Sequence, residues 1–188
     1  MFVFEENMHG IVFGELKQYV TERFGAPVWD DLLAKAAIGP KLYLAIQEYP
    51  DDELNAILQA ASTHTGLSVA ALLQDFGDFT GPHLVRMYRT YIQPEWKTLD
   101  VIEHTEERIH KMVRLQHKGA RPPYLSTTRR SADEIVVHYA SERKLCSLAK
   151  GFATGIARHY GETLEITDLT CMHRGAPTCE ILIRRTAG

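Results

Sequence analysis

The sequence predicts an α+β fold: a helical N-terminal lobe followed by a C-terminal lobe with a small antiparallel sheet and helices. Three observations predict it. Apolar residues recur at helical spacing over the first two-thirds of the 188 residues. Lys118-Gly119-Ala120-Arg121-Pro122-Pro123 then breaks that pattern. Beyond the break come short strand-like runs bounded by turn formers. One domain is expected over 1–188, with about 8–98 as the helical lobe and about 99–188 as a long helix plus the sheet lobe.

Gly10 to Phe24 places Ile11, Phe13, Leu16, Tyr19 and Val20 on one helical face, and Gly25-Ala26-Pro27 ends it. Val28 to Ala37 forms a second short helix, stopped by Ile38-Gly39-Pro40. Tyr43 to Pro50 reads as a loop with some turn. Asp51 or Asp52 caps a third helix through Leu54, Ile57, Leu58 and Ala61, which Gly66 ends. Ser68 caps a fourth with Leu72, Leu73 and Phe76, and Pro82 to Ile92 reads as a separate helical piece. Pro94 interrupts before a long helix from Leu99 to about Gln116, with Ile102, Ile109, Met112 and Val113 as its stripe. Tyr124 to Thr128 and Glu134 to Ala140 are strand-like. A helix over Lys144 to Tyr160 follows, then a closing hairpin of Leu164 to Thr170 and Thr178 to Arg184.

Composition excludes several classes. Net charge is −3, and the densest basic block is only Arg184-Arg185, so no footprint for nucleic acid exists. No apolar run approaches the roughly 18 residues needed for membrane insertion. Met1 to Asn7 carries Glu5 and Glu6 and lacks the regions of a signal peptide; Met8 offers an alternative start. The expected compartment is cytoplasmic, where the three cysteines are reduced thiols or metal ligands. No Gly-x-Ser-x-Gly, P-loop or Gly-x-Gly-x-x-Gly occurs, and no enzyme activity is expected.

Two runs carry chemistry. In extended chain, Tyr139, Ser141 and Arg143 of Tyr139-Ala140-Ser141-Glu142-Arg143 project to one side. Two hydroxyls and a guanidinium suit a ligand with carboxylate or phosphate groups, although an edge strand running into a helix cap has the same pattern. The second run is Cys171 to Cys179. A Gly175-Ala176-Pro177 turn between the cysteines brings their thiolates together, and Cys146 supplies a third. With Asp168 or His173 as a fourth ligand this set suits zinc; small core cysteines are the competing reading. His110 sits at the edge of the long helix's apolar stripe. Periodicity alone reads it as a half-buried surface residue.

Taken together these residues resemble the H-NOX (heme nitric oxide/oxygen binding, HNOB) family, of the bacterial stand-alone type. The family pattern has an axial histidine, a Pro-Pro pair twelve residues on, then Tyr-x-Ser-x-Arg; here these are His110, Pro122-Pro123 and Tyr139 to Arg143. Met8-His9-Gly10-Ile11-Val12-Phe13, Phe24-Gly25 and Trp29 also look like the family, so the resemblance spans nearly the whole chain. It implies heme b enclosed by the two lobes, with His110 on the iron. Tyr139, Ser141 and Arg143 would hold the propionates and Pro123 would press on the porphyrin. Oxygen-binding members carry a tyrosine five residues after the motif arginine, where this chain has Leu148. That implies binding of nitric oxide and CO with no stable O2 complex, unless Tyr88 or Tyr91 reaches in.

The implied mechanism is NO-dependent weakening of the Fe–His110 bond, read out by a separate partner, a histidine kinase or a cyclic-di-GMP enzyme in relatives. A zinc site in bacterial members matches Cys146, Cys171 and Cys179. Its histidine, three residues before the position of Cys171, is Asp168 here, which leaves Asp168 and His173 both open. The alternative is a zinc-stabilised redox or small-molecule-binding adaptor with no gas-sensing role.

Overall fold

A computed structural model describes residues 7–117 and 119–186. Met1 and the acidic residues up to Glu6, and Lys118 of the breaker, lie outside the described residues. The chain divides into two units. One runs through Leu72 and takes in the His117–Arg121 return; the other holds Leu73–Gln116 and the residues from Pro122 onward.

In the first unit, β1 (Asn7–His9) pairs antiparallel with β2 (Glu48–Pro50), Met8 opposite Tyr49. The sequence predicts loop where β2 lies; three residues are too few for a periodic signal. Helix α1 (Gly10–Phe24) opens at His9, whose Nδ1 accepts from the Ile11 N–H at 3.4 Å. Gly25, at φ 100°, ends it in a conformation side chains disfavour, and Pro27 sits in the first turn of α2 (Ala26–Lys35), where its missing N–H costs nothing. Helix α3 (Asp51–Thr65) has no side-chain cap: Pro50 precedes it, and Asp51, Asp52 and Glu53 lie inside the first turn, where they complement the helix dipole instead. Phe13, Leu16, Val20, Trp29, Leu32, Leu33 and Ile57 form this unit's buried core.

Helix α4 (Val69–Met87) crosses from the first unit into the second and runs unbroken through Pro82, correcting the expected division into two pieces. Proline removes the hydrogen bond to the carbonyl four residues back. Here that carbonyl is on Asp78, and Arg158 Nη2 donates to it at 2.6 Å. A side chain replaces the lost backbone bond, so the helix continues.

The expected long helix is α5 (Thr98–His104), a π turn (Thr105–His110) and α6 (Lys111–Gln116). The sheet is antiparallel in the order β3 (Tyr124–Ser131), β4 (Glu134–Ala140), β6 (Cys179–Thr186), β5 (Thr163–Thr170). Helix α7 (Cys146–Tyr160) lies against α4 through glycines. A Cβ on Gly77 would stand 2.5 Å from the Leu148 carbonyl oxygen, and one on Gly81 2.8 Å from the Gly155 backbone. Ile135, Val137, Tyr139, Ile181 and Ile183 of the sheet pack with Leu99, Val101, Ile102, Ala153 and Ile156 as the second core. Among the described residues, no single helix is long and apolar enough to cross a membrane.

Candidate functional site

His110 closes the π turn, a distortion that often marks functional positions. Its side chain is 15% exposed, and Nδ1 lies 3.1 Å from Glu106 Oε2. An ionised carboxylate only accepts, so Nδ1 carries the proton, and in the neutral ring Nε2 keeps its lone pair. The same oxygen accepts the Leu125 N–H at 3.2 Å, and Arg114 Nη1 meets Oε1 at 2.8 Å. Burial raises the Glu106 carboxyl's pKa, but the hydrogen bonds from His110, Arg114 and the Leu125 N–H outweigh it and bring it to about 2. Arg114 also lies over the Tyr124 ring at 5.0 Å and reaches the Pro123 carbonyl at 3.5 Å. Two residues thus link His110 to Pro123. Sequence reasoning named those two ends and missed Glu106 and Arg114, although four-residue steps either side of His110 point to both.

The Tyr139–Arg143 run is not extended throughout, which corrects the alternation argument. β4 stops at Ala140, and Glu142 and Arg143 form a turn closed by the Lys144 N–H on the Ser141 carbonyl at 3.1 Å. Ser141 Oγ accepts the Arg143 N–H at 3.3 Å and its side chain bonds with the buried Tyr139 hydroxyl, which also meets the Leu145 backbone. Burial pushes the Tyr139 hydroxyl's pKa up. Ser141 is therefore the hub that gathers the three residues. Lys144 has φ 52°, so α7 starts at Cys146 and not at Lys144. Tyr139 stands opposite Leu125, the residue whose N–H meets Glu106, so the His110 turn and the hydroxyl turn attach to one pair of strand residues. Leu148 lies in the first turn of α7, 7% exposed. The Tyr91 hydroxyl accepts from Gln116 at 3.1 Å.

Cys146, Cys171 and Cys179 are buried together, with all three Sγ atoms within 4.8 Å of one another and Cys146 and Cys171 at 4.0 Å. Tetrahedral zinc with bonds of about 2.3 Å needs sulfurs about 3.8 Å apart, so the set fits that ion with little movement. Burial and the neighbouring sulfurs push Cys146 up to about 12; burial likewise raises Cys179. Cys171 moves down despite burial, because the His173 N–H and the other two thiols donate to it. Among the described residues only the three cysteines form this group. His173 is exposed and its Nε2 meets the Lys144 carbonyl at 2.8 Å. Asp168 Oδ2 accepts from Lys150 at 2.9 Å, and its Oδ1 is buried without a hydrogen bond.

An anchored histidine in one part of this unit and a buried thiol cluster in another give this α+β fold two candidate metal-binding groups. The chain resembles an H-NOX protein from S. oneidensis in its Fe(II)NO state, at 26% identity and TM-score 0.88 over 96% of this chain and 100% of that one. The Fe(II) form of an H-NOX protein from S. oneidensis carrying three substitutions matches equally, at 26% and 0.88 over 96% and 97%. Unliganded H-NOX from K. algicida shares the fold at 20% identity and TM-score 0.83, over 96% and 98%. No curated protein matches significantly. The Haem-NO-binding (HNOB) family pattern matches residues 9–168, and the chain belongs to that family.

Proposed function

We propose that this chain is a heme-based nitric oxide sensor that hands its signal to a separate protein. The observation that carries the reading is His110 with Nδ1 held by Glu106 and Nε2 left free, in a chain of the heme-NO-binding family. A bound heme would supply a ferrous iron as the NO-binding centre, with His110 as the protein ligand that NO binding would loosen. His110 would hold that iron through Nε2. Tyr139, Ser141 and Arg143 would receive the propionates, and Pro123 would flank the porphyrin, tied to His110 through Arg114 and Glu106. Leu148 offers no donor to a polarised ligand, which supports NO and CO binding without a stable O2 complex. Relatives from S. oneidensis exist in Fe(II)NO and Fe(II)CO states. Release of His110 would free the π turn and α6, and a histidine kinase or cyclic-di-GMP enzyme is the proposed recipient.

The buried thiols support a zinc site beside this function. Asp168, with its unsatisfied buried Oδ1, suits the fourth position better than His173, which is exposed to solvent. The cluster also favours a second reading, a zinc-stabilised redox or small-molecule-binding adaptor. One set of absorption spectra decides. The reduced protein should show a Soret band that shifts with NO and with CO and is unchanged by air. H110G should lose heme and regain it with imidazole. A persistent oxy spectrum would sink the gas assignment, and absence of a Soret band after added hemin would favour the adaptor.

A further inference from the structure

We propose that Glu106 is the positioning residue of His110, selecting the ring nitrogen that faces the iron and holding the ring in place. The inference rests on the heme reading above and adds a residue to it. Its first support is the π turn. The Lys111 N–H bonds to the Glu106 carbonyl five residues back, so the turn is wider than in an α-helix. Residues four apart share a helix face, and the Glu106 carboxylate meets His110 Nδ1 at 3.1 Å. In this arrangement Nδ1 must donate, and only Nε2 is left to bind a metal.

The second support is that the carboxylate is itself immobilised. Oε2 is shared with the Leu125 N–H at 3.2 Å and Oε1 is taken by Arg114 at 2.8 Å. Leu125 belongs to the strand next to Tyr139, and Arg114 extends to Pro123. Rotating the His110 ring would therefore break a bond to a group pinned from two other elements. A carboxylate on Nδ1–H also makes the opposite nitrogen more basic, which strengthens its bond to a metal. Glu106 would thus set how firmly His110 holds, and hence how readily it lets go.

The test compares E106A, E106D and R114M as heme-loaded proteins, with H110G as reference. Removing the carboxylate should lower the Fe–His110 stretching frequency in the ferrous resonance Raman spectrum and speed heme loss about 10- to 100-fold. In the diamagnetic ferrous CO complex, the His110 Nδ1 proton should exchange faster with water in E106A than in wild type. E106D should restore part of all three. R114M keeps the Nδ1 contact but frees one carboxylate oxygen, and should lower the Raman frequency by less than E106A does. An unmoved frequency in E106A, or an equal drop in R114M, overturns the proposal while leaving His110 as ligand. Unchanged heme in H110G overturns both.

Discussion

At His110 the nitrogen that donates to Glu106 decides what the other nitrogen can do, and the same logic governs His9. Its Nδ1 accepts from Ile11, so Nε2 carries the proton and donates to His117 Nδ1 at 3.2 Å. The chain of acceptors works only while both rings are neutral. Burial and then His117 lower the His9 pKa below 6.5, with Glu48 opposing. The sign follows. Below pH 6.5 the unfolded chain takes a proton that the folded chain resists, so folded stability falls as pH drops through that window and is complete above it. The urea midpoint should therefore decline from about pH 7.5 to about 5.5, and His117→Ala should flatten part of that decline; an unchanged slope would remove His117 as a cause. The His9–His117 pair was not legible beforehand, and Glu106 was signalled only by its four-residue step from His110. One is a contact across 108 residues, and the other depends on a π turn that periodicity reads as ordinary helix. His110, Pro123 and the Tyr139 run were legible because their spacing along the chain is itself the signal.

Between elements, the seam of α4 and α7 depends on residues with no side chain. Gly77 faces the Leu148 carbonyl oxygen at 2.5 Å and the Phe152 nitrogen at 2.7 Å from where a Cβ would stand. Both obstacles are backbone and cannot swing aside. Gly77→Ala should cost about 1–3 kcal/mol despite alanine's better helix propensity. Gly14, on the exposed face of α1, meets nothing within 4 Å, so Gly14→Ala should stabilise by about 0.5–1 kcal/mol. Opposite signs in thermal unfolding check the argument; two equal shifts would refute it. Elements with strong apolar periods, such as α1, α3 and α7, were readable from sequence. The continuity of α4 was not, because the carbonyl that Pro82 leaves without a backbone partner is taken by an arginine from another helix.

Across the whole molecule, the thiol cluster joins points that the sheet brings together: the start of α7, the end of β5 and the start of β6. Its three cysteines were readable from spacing, but the insertion of β6 between β4 and β5 was not, since hydrogen-bonding order is decided by packing and not by local pattern. If zinc sits there at about 100 times its Kd, it adds roughly 2.7 kcal/mol. For a chain of this size that is about 5–10 °C in Tm. Chelation should remove that increment and release one zinc per chain; an unchanged Tm with no zinc released would make the cysteines plain core residues. The Pro82 repair has its own implication for assembly. The Asp78 carbonyl waits for Arg158, eighty residues later in the chain. Until α7 has been synthesised and docked, only water can serve that carbonyl. The carbonyl that Pro82 leaves open is thus closed by a contact that exists only once α7 is packed on α4.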